Sequence, residues 1–257
     1  MNGMHRQQPE QPIIPDIQSE DNLNVRAAIA GNHNTPLSTL AFLSEDPIDL
    51  VRVNVALNSN CPVELLERLV VDPDIMVRKS AVAHPKVSGS LLESAFEKNE
   101  PYMRWSIASN PNCTSAMLER LAGDRETEAT RFAVMGNPNA KIELLLQIVC
   151  FDEDRDVRDC CRDKLEALEP TKWKESVSAG LSLANAMECS INPDAVVPSG
   201  LSLGDTLLSA GLTNIYQTIQ LAELEMKINK LGQDTPPETP ENDAAIPDIQ
   251  NSRRLTL

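Results

Sequence analysis

The stretch that decides the fold is Val51–Met76, VRVNVALNSNCPVELLERLVVDPDIM. Its opening Val-Arg returns at Val25-Arg26, Val77-Arg78 and Val157-Arg158, and Met103-Arg104 and Thr130-Arg131 fill the gaps. The six arginines are therefore 26, 26, 26, 27 and 27 residues apart. Self-similarity at one period marks a solenoid, in which each copy buries its apolar face against its neighbours rather than around one common core.

Each copy reads as two helical halves. The first is Val-Arg followed by small apolar residues, as in VRKSAVA, MRWSIAS and TRFAVMG. An acid three or four residues before the arginine (Asp49, Asp74, Glu100, Glu128, Asp154, with Asn22 in the first copy) is placed to cap the helix. Alanines such as Ala30, Ala56, Ala81 and Ala108 let neighbouring helices approach closely. The half ends at Asn-x-Asn-x-Pro or Asn-Pro-Asn, at Asn32, Asn58, Asn110 and Asn137, with His84-Pro85-Lys86 as the degenerate third copy. Asn at such a turn is expected to take left-handed backbone angles. A second helix follows, with Leu40, Leu66, Leu92, Leu118 and Leu145 each fourteen residues after its arginine. Leu43, Leu69, Ala95, Leu121 and Ile148 lie three further on, completing one buried face. Asp46-Pro47, Asp72-Pro73, Asp124 and Asp152 lead into the next copy.

A 26-residue period is too short for two full HEAT helices, and the strand motif of ordinary leucine-rich repeats is missing. One helix must therefore be brief, 3₁₀ in part. In these residues the chain resembles the leucine-rich repeat variant (LRV) repeats of bacteria. Their phrase VRxAVAxNPNTPxxLLExLAxDxD stands here as VRVNVALNSNCPVELLERLVVDPD, and the likeness runs from about Asn22 to Leu168. The resemblance implies an all-α, HEAT-like solenoid of about six repeats, with α and 3₁₀ helices alternating in a right-handed superhelix. Some members hold an iron–sulfur centre on an N-terminal cysteine cluster. No cysteine precedes Cys61 here, so that feature is not carried over.

The rest of the chain divides around this array. Residues 1–20 and 232–257 are Pro-rich and polar and read as disordered arms on either side of the solenoid at 21–168 and a helical region at 169–231. In that region a second idiom appears: Ser178-Ala179-Gly180-Leu181-Ser182, Ser199-Gly200-Leu201-Ser202 and Ser209-Ala210-Gly211-Leu212-Thr213. Each reads as a helix end at glycine and a hydroxyl cap for the next helix, predicting short helices near 171–179, 182–189 and 202–210. A long helix, Thr213–Leu231, carries one stripe of Leu212, Ile215, Ile219, Ala222 and Met226 and another of Leu221, Leu224, Ile228 and Leu231. Two stripes imply contact on two sides, and a homodimer through this helix is one way to supply the second.

Composition restricts function. The net charge of −15 opposes non-specific binding to nucleic acid or anionic lipid. No apolar run approaches the roughly 20 residues of a membrane span, and the opening residues have no signal-peptide character, so a cytoplasmic protein is expected. The six cysteines lack paired CxxC spacing, and reduced, structural thiols are expected, with no cofactor; a metal or iron–sulfur site on Cys150, Cys160, Cys161 and Cys189 is the alternative. His5, His33 and His84 lie in the arm or in turns, and no hydrolase, zincin, P-loop or dinucleotide motif is present, so an enzyme is not expected.

Four features are candidates for function. The ladder Arg26, Arg52, Arg78, Arg104, Arg131 and Arg158 reads as an internal seam bonded to carbonyls and acids of adjacent repeats, or else as a stripe gripping a phosphate backbone. The pentapeptide Ile14-Pro15-Asp16-Ile17-Gln18 recurs as Ile246-Pro247-Asp248-Ile249-Gln250, a short motif presented twice or a chance repetition. Asn54, Lys79, Trp105 and Phe132 are taken as inward-facing positions of the first helices, the two aromatics being interface anchors or core filling. The fourth is the long C-terminal helix. The reading that follows is a non-enzymatic scaffold or adaptor holding a peptide or helix of a protein partner. The competing one is a nucleic-acid-binding or DNA-repair solenoid that uses the arginine ladder.

Overall fold

The computed structural model describes residues 22–233 apart from 99, 126, 188 and 193–199. The arms and both IPDIQ copies lie outside the described residues. Five helix pairs come first: α1 (Leu23–Gly31) with α2 (Leu37–Leu43), α3 (Asp49–Leu57) with α4 (Val63–Leu69), α5 (Ile75–Ala83) with α6 (Gly89–Glu97), α7 (Arg104–Ser109) with α8 (Ser115–Ala122), and α9 (Glu128–Gly136) with α10 (Ile142–Phe151). Helix α11 (Arg155–Glu166) takes the place of a sixth first helix, and α12 (Pro170–Ser178), α13 (Leu203–Ser209) and α14 (Thr213–Gln233) follow. Among the described residues there is no strand, only a single bridge between Ala186 and Ser202.

The first helices form one close layer, α1 on α3, α3 on α5, α5 on α7 and α7 on α9. The second helices pack on the first but not closely on one another. Between the layers lie Leu40, Leu66, Leu92, Leu118 and Leu145 with their partners three residues on, all buried. Ala30, Ala56, Ala81 and Ala108 are fully buried where the first helices meet. Helices this short are marginal alone and owe their stability to such packing.

The expected alternation of α and 3₁₀ helices is not found among the described residues. Both halves of every pair are α, and the second helices run seven to ten residues. The period closes because the first helices are equally short, mostly nine residues or about 13 Å. A 3₁₀ turn does occur at Pro101–Met103, at the entry to α7.

Two local expectations also change. Only Asp74 and Asp154 of the five acids cap as expected, each accepting from the backbone N–H groups two and three residues on. Asp49 and Glu128 sit one position late, as the first residues of their helices, Glu100 is taken by Arg78, and Asn22 makes no side-chain cap bond. The turn asparagines are not left-handed. Asn32, Asn58, Asn110 and Asn137 are extended, with ψ of 124°, 118°, 130° and 133°.

What selects Asn at these turns is its side chain. The Asn110 amide donates to Val82 O at 2.6 Å and His84 O at 2.9 Å, both in the preceding repeat, and its Oδ1 accepts from Asn112 N at 2.8 Å. Asn58 makes the same three bonds to Ala30 O, Asn32 O and Asn60 N, and Asn137 to Ala108 O, Asn110 O and Asn139 N. The second Asn of each turn repeats the trick outside: Asn112 donates to Pro85 O and Val87 O, Asn139 to Pro111 O and Cys113 O, and Asn60 to His33 O. Each turn is thus tied to the one before it through carbonyls that no helix bond satisfies. Lys164, in register with Asn137, closes the series by donating to Met135 O.

His84 fills this role with an imidazole. Lys86 N donates to its Nδ1 at 3.1 Å, which leaves Nε2 to carry the hydrogen and donate to Asn58 O at 3.2 Å. The ring must therefore be neutral. Burial pushes its pKa below the ordinary 6.5, and the nearby Lys86 charge acts in the same direction against the pull of the Asn58 carbonyl.

Beyond α11 the glycine idiom holds in part: a hydroxyl cap is seen at Ser202, whereas Thr213 is the first residue of its helix. Gly180 (φ 119°), Gly200 (φ 95°) and Gly211 (φ 74°) take backbone angles open to glycine. Ser202 opens α13 with a full capping box to Asp205, and α14 begins at Thr213. The helix expected at 182–189 does not form. Ser182 Oγ and Leu183 N both donate to Glu223 of α14 at 2.8 Å, so the segment is held across the helix rather than coiled beside it. Trp173 of α12 is buried, and α14 packs on α12, α13 and α11.

Two outcomes test this scheme. Asn110→Ala removes the donor to Val82 O and His84 O of the preceding repeat and the acceptor for Asn112 N of its own, and should cost about 3 kcal/mol, roughly 10 °C in Tm. Asn32→Ala, at the exposed end of the series, should change stability by less than about 0.5 kcal/mol. For His84 the folded pKa is the depressed one, so the unfolded chain binds the proton first and stability falls as pH drops below about 6.5. Thermal melts from pH 7.5 to 5.5 should show that loss in the wild type and a smaller one in His84→Asn.

Candidate interaction surface

The arginine ladder is a seam. Arg26 donates from Nε to Asp46 at 2.7 Å, Arg52 holds Asp72 through two bonds of 2.8 and 2.9 Å, and Arg104 reaches Asp124 at 2.9 Å. Arg131 pairs with Asp152 at 2.8 Å. Each aspartate stands at the end of the arginine's own repeat. The next arginine takes that aspartate's backbone carbonyl: Arg52 on Asp46 O, Arg78 on Asp72 O, Arg131 on Asp124 O and Arg158 on Asp152 O, all at 2.6 to 2.7 Å. Asp46, Asp72 and Asp152 also accept from the backbone N–H two residues on, a local turn that fixes the carboxylate. Arg26, Arg52, Arg104 and Arg131 thus pair with acids at the repeat ends, whereas Arg78 pairs with a helix-start acid, Glu100.

The seam varies along its length. In the third repeat Lys98 stands where the aspartate would be, and Arg78 turns to Glu100 at 2.7 Å. With His84 and Lys86 in place of asparagines, this repeat departs from the pattern at both ladders. Arg158 bonds the carbonyls of Asp152 and Glu153. Burial alone would raise the Asp72 carboxyl, but the Arg52 bond and the Asp74 N–H outweigh it and bring it below the carboxylate range. Asp152 is more enclosed, and there desolvation wins, raising its pKa despite the Asp154 N–H and Arg131. Both are held for position as much as for energy.

With the guanidinium groups engaged, the exposed feature of the first helices is apolar. Positions two before, one after and five after each arginine lie within about 60° on a helix of 100° per residue. They hold Leu50 and Leu57 on α3, Met76 on α5, Tyr102 and Trp105 at α7 and Phe132 on α9, all exposed. Tyr102 is 76% exposed, Trp105 48% and Phe132 36%, so the aromatics do not fill the core. Lys79 occupies the same register, half-buried. Asn54 does not. Its register belongs to Val53, and Asn54 instead donates to Leu50 O at 2.8 Å and abuts Gly31 of the preceding helix. The sequence reading missed Leu50, Leu57, Met76 and Tyr102, although the arginine register would have located them.

The row ends at α11, whose matching positions are Asp156, Asp159 and Asp163. The face formed by the second helices is different in kind. Arg120 pairs with Glu93 and Glu97 at 2.9 Å and stacks on Phe96 at 4.2 Å, and Arg68 reaches Glu45, linking successive repeats with exposed charge.

The thiols are free. Cys61 and Cys113 are fully buried, and burial pushes them up to about 11 and about 12. Cys150 and Cys161 are likewise held near 12 by burial, so none of the four is a ready nucleophile. Among the described residues no group of three or more His, Cys, Asp or Glu side chains is arranged to hold a metal ion, and no helix is long and apolar enough to cross a membrane.

No curated protein and no solved structure matches the chain. A family model does match in part: residues 50–74, the span that links Arg52, Asn58 and Asp72, match the family described as leucine rich repeat variant.

Proposed function

We propose that this protein is a non-enzymatic interaction scaffold that holds an apolar segment of a protein partner along the layer of first helices. The observation that carries the reading is the exposed row Leu50, Leu57, Met76, Tyr102, Trp105 and Phe132, set on a rigid array and crowned by aromatics. Aromatic side chains on a fixed backbone bury much area at low entropic cost and are frequent anchors of interfaces. The first helices are the closely packed layer, so the row runs across neighbouring helices of that layer. The acidic α11 at its end favours a partner whose apolar residues are followed by basic ones.

The nucleic-acid reading finds little support in this geometry. Its arginines are already bonded to carboxylates and carbonyls, and a phosphate would have to compete with partners at 2.6 to 2.9 Å. A cytoplasmic setting, a single partner and a role for the IPDIQ pair remain parts of the proposal.

The test is a capture experiment from the native host with nuclease-treated and untreated extracts, comparing wild type with Tyr102→Ala/Trp105→Ala/Phe132→Ala. The expected result is a protein captured in stoichiometric amount, indifferent to nuclease and depleted at least tenfold by the triple variant, whose Tm is unchanged. Capture of nucleic acid released by moderate salt would overturn the reading. So would a protein partner retained equally by both forms.

A further inference from the structure

Helix α14 presents two apolar rows, and among the described residues only one is covered. Ile215, Ile219 and Ala222 are buried and Met226 packs beside them, on the side where α14 meets α12. Leu221, Leu224, Ile228 and Leu231 are 59%, 49%, 65% and 69% exposed. At 100° per residue the centres of the two rows stand about 170° apart, on opposite sides of the helix. A surface helix ordinarily has one apolar stripe, and a helix apolar on both sides is covered on both.

The spacing of the exposed row identifies its cover. Steps of three, four and three residues are those of positions a and d of a heptad, which keep side chains facing another helix. An extended peptide would match a period of two instead. The row is about 15 Å long. It continues sideways onto exposed Leu208 across a groove of about 350 Å³ bordered by Tyr216, Leu224 and Lys227. The chain after Gln233 is a poor occupant, because Pro236, Pro237, Pro240 and Pro247 oppose the helix this spacing is built to receive. The same row on a second α14, related by a two-fold axis, meets the requirement.

We infer that the protein is a homodimer joined by α14 against α14 of a second copy, through Leu221, Leu224, Ile228 and Leu231. The row lies beyond the solenoid and leaves the first-helix face of each copy free. This inference stands independently of the proposed function.

Sedimentation velocity of the full chain between about 1 and 100 μM tests it. The expected result is a concentration-dependent dimer that Leu224→Glu/Ile228→Glu converts to monomer throughout the range, with helix content and Tm unchanged. Should that double variant unfold, Leu231→Lys, at the most exposed position of the row, should weaken the dimer at least tenfold. Removing residues 234–257 should leave it intact. A wild-type monomer over the whole range would overturn the inference. A dimer that survives these substitutions, or one that depends on residues 234–257, would do the same.

Discussion

The structure depends on one hydrogen-bonding problem posed once per repeat. A helix of nine residues leaves nearly half its carbonyls without intrahelical partners, and the stack buries those ends. An Asn side chain reaching back from the next turn answers it, two donors to two carbonyls, while its own oxygen fixes the turn it stands in. Because donor and acceptor belong to different repeats, no repeat is complete alone. The arginine seam answers a related problem, where Arg52 and Arg131 each join the aspartate ending their own repeat to the carbonyl of the aspartate before, and Arg26, Arg78, Arg104 and Arg158 make parts of the same pattern. The two ladders set the spacing of the first helices, and that spacing determines which side chains can be buried between them.

The proposed function rests on what the ladders leave over. Arginine, the residue most suited to phosphate, is consumed by the seam, so a repeat array with six regularly spaced guanidinium groups does not present them as a binding stripe. The positions turned away from both ladders and core carry at least one large, exposed apolar residue in each of the repeats that contain α3, α5, α7 and α9. The second-helix face is instead laced with exposed ion pairs, which contribute little to stability but keep that side soluble. The third repeat, with His84 and Lys86 in place of two asparagines, keeps one carbonyl contact through each, supplies Arg78 with Glu100 instead of an aspartate, and adds a titratable group to the joint.

Much of this was legible in the sequence. The 26-residue period, the buried leucines and the two rows of the last helix follow from spacing alone, because burial repeats wherever geometry does. What spacing could not show was the reason for a residue's presence. Asn58, Asn110 and Asn137 suggested left-handed turns, the commonest use of Asn at a helix end, whereas they are extended and chosen for a long-range bond. Asp72 and Asp152 looked like connectors, and their role appeared only once Arg52 and Arg131 were seen to reach them. Asn54 was placed one register out because its copy has Val53 at the outward position. One helix of each repeat was expected to be partly 3₁₀ because two α-helices seemed too long for the period. The helix expected at 182–189 failed because Glu223, forty residues away, claims Ser182 and the Leu183 N–H.

The central claim is that the arginines are interior and occupied. It is tested most directly by hydrogen exchange of the guanidinium Nε–H groups, followed by ¹⁵N NMR with and without duplex DNA at low salt. The account predicts slow exchange for Arg26, Arg52 and Arg131, rapid exchange for the exposed Arg155, and no change in the ladder signals on adding DNA. Ladder signals that exchange as fast as that of Arg155 and shift when DNA is added would contradict it.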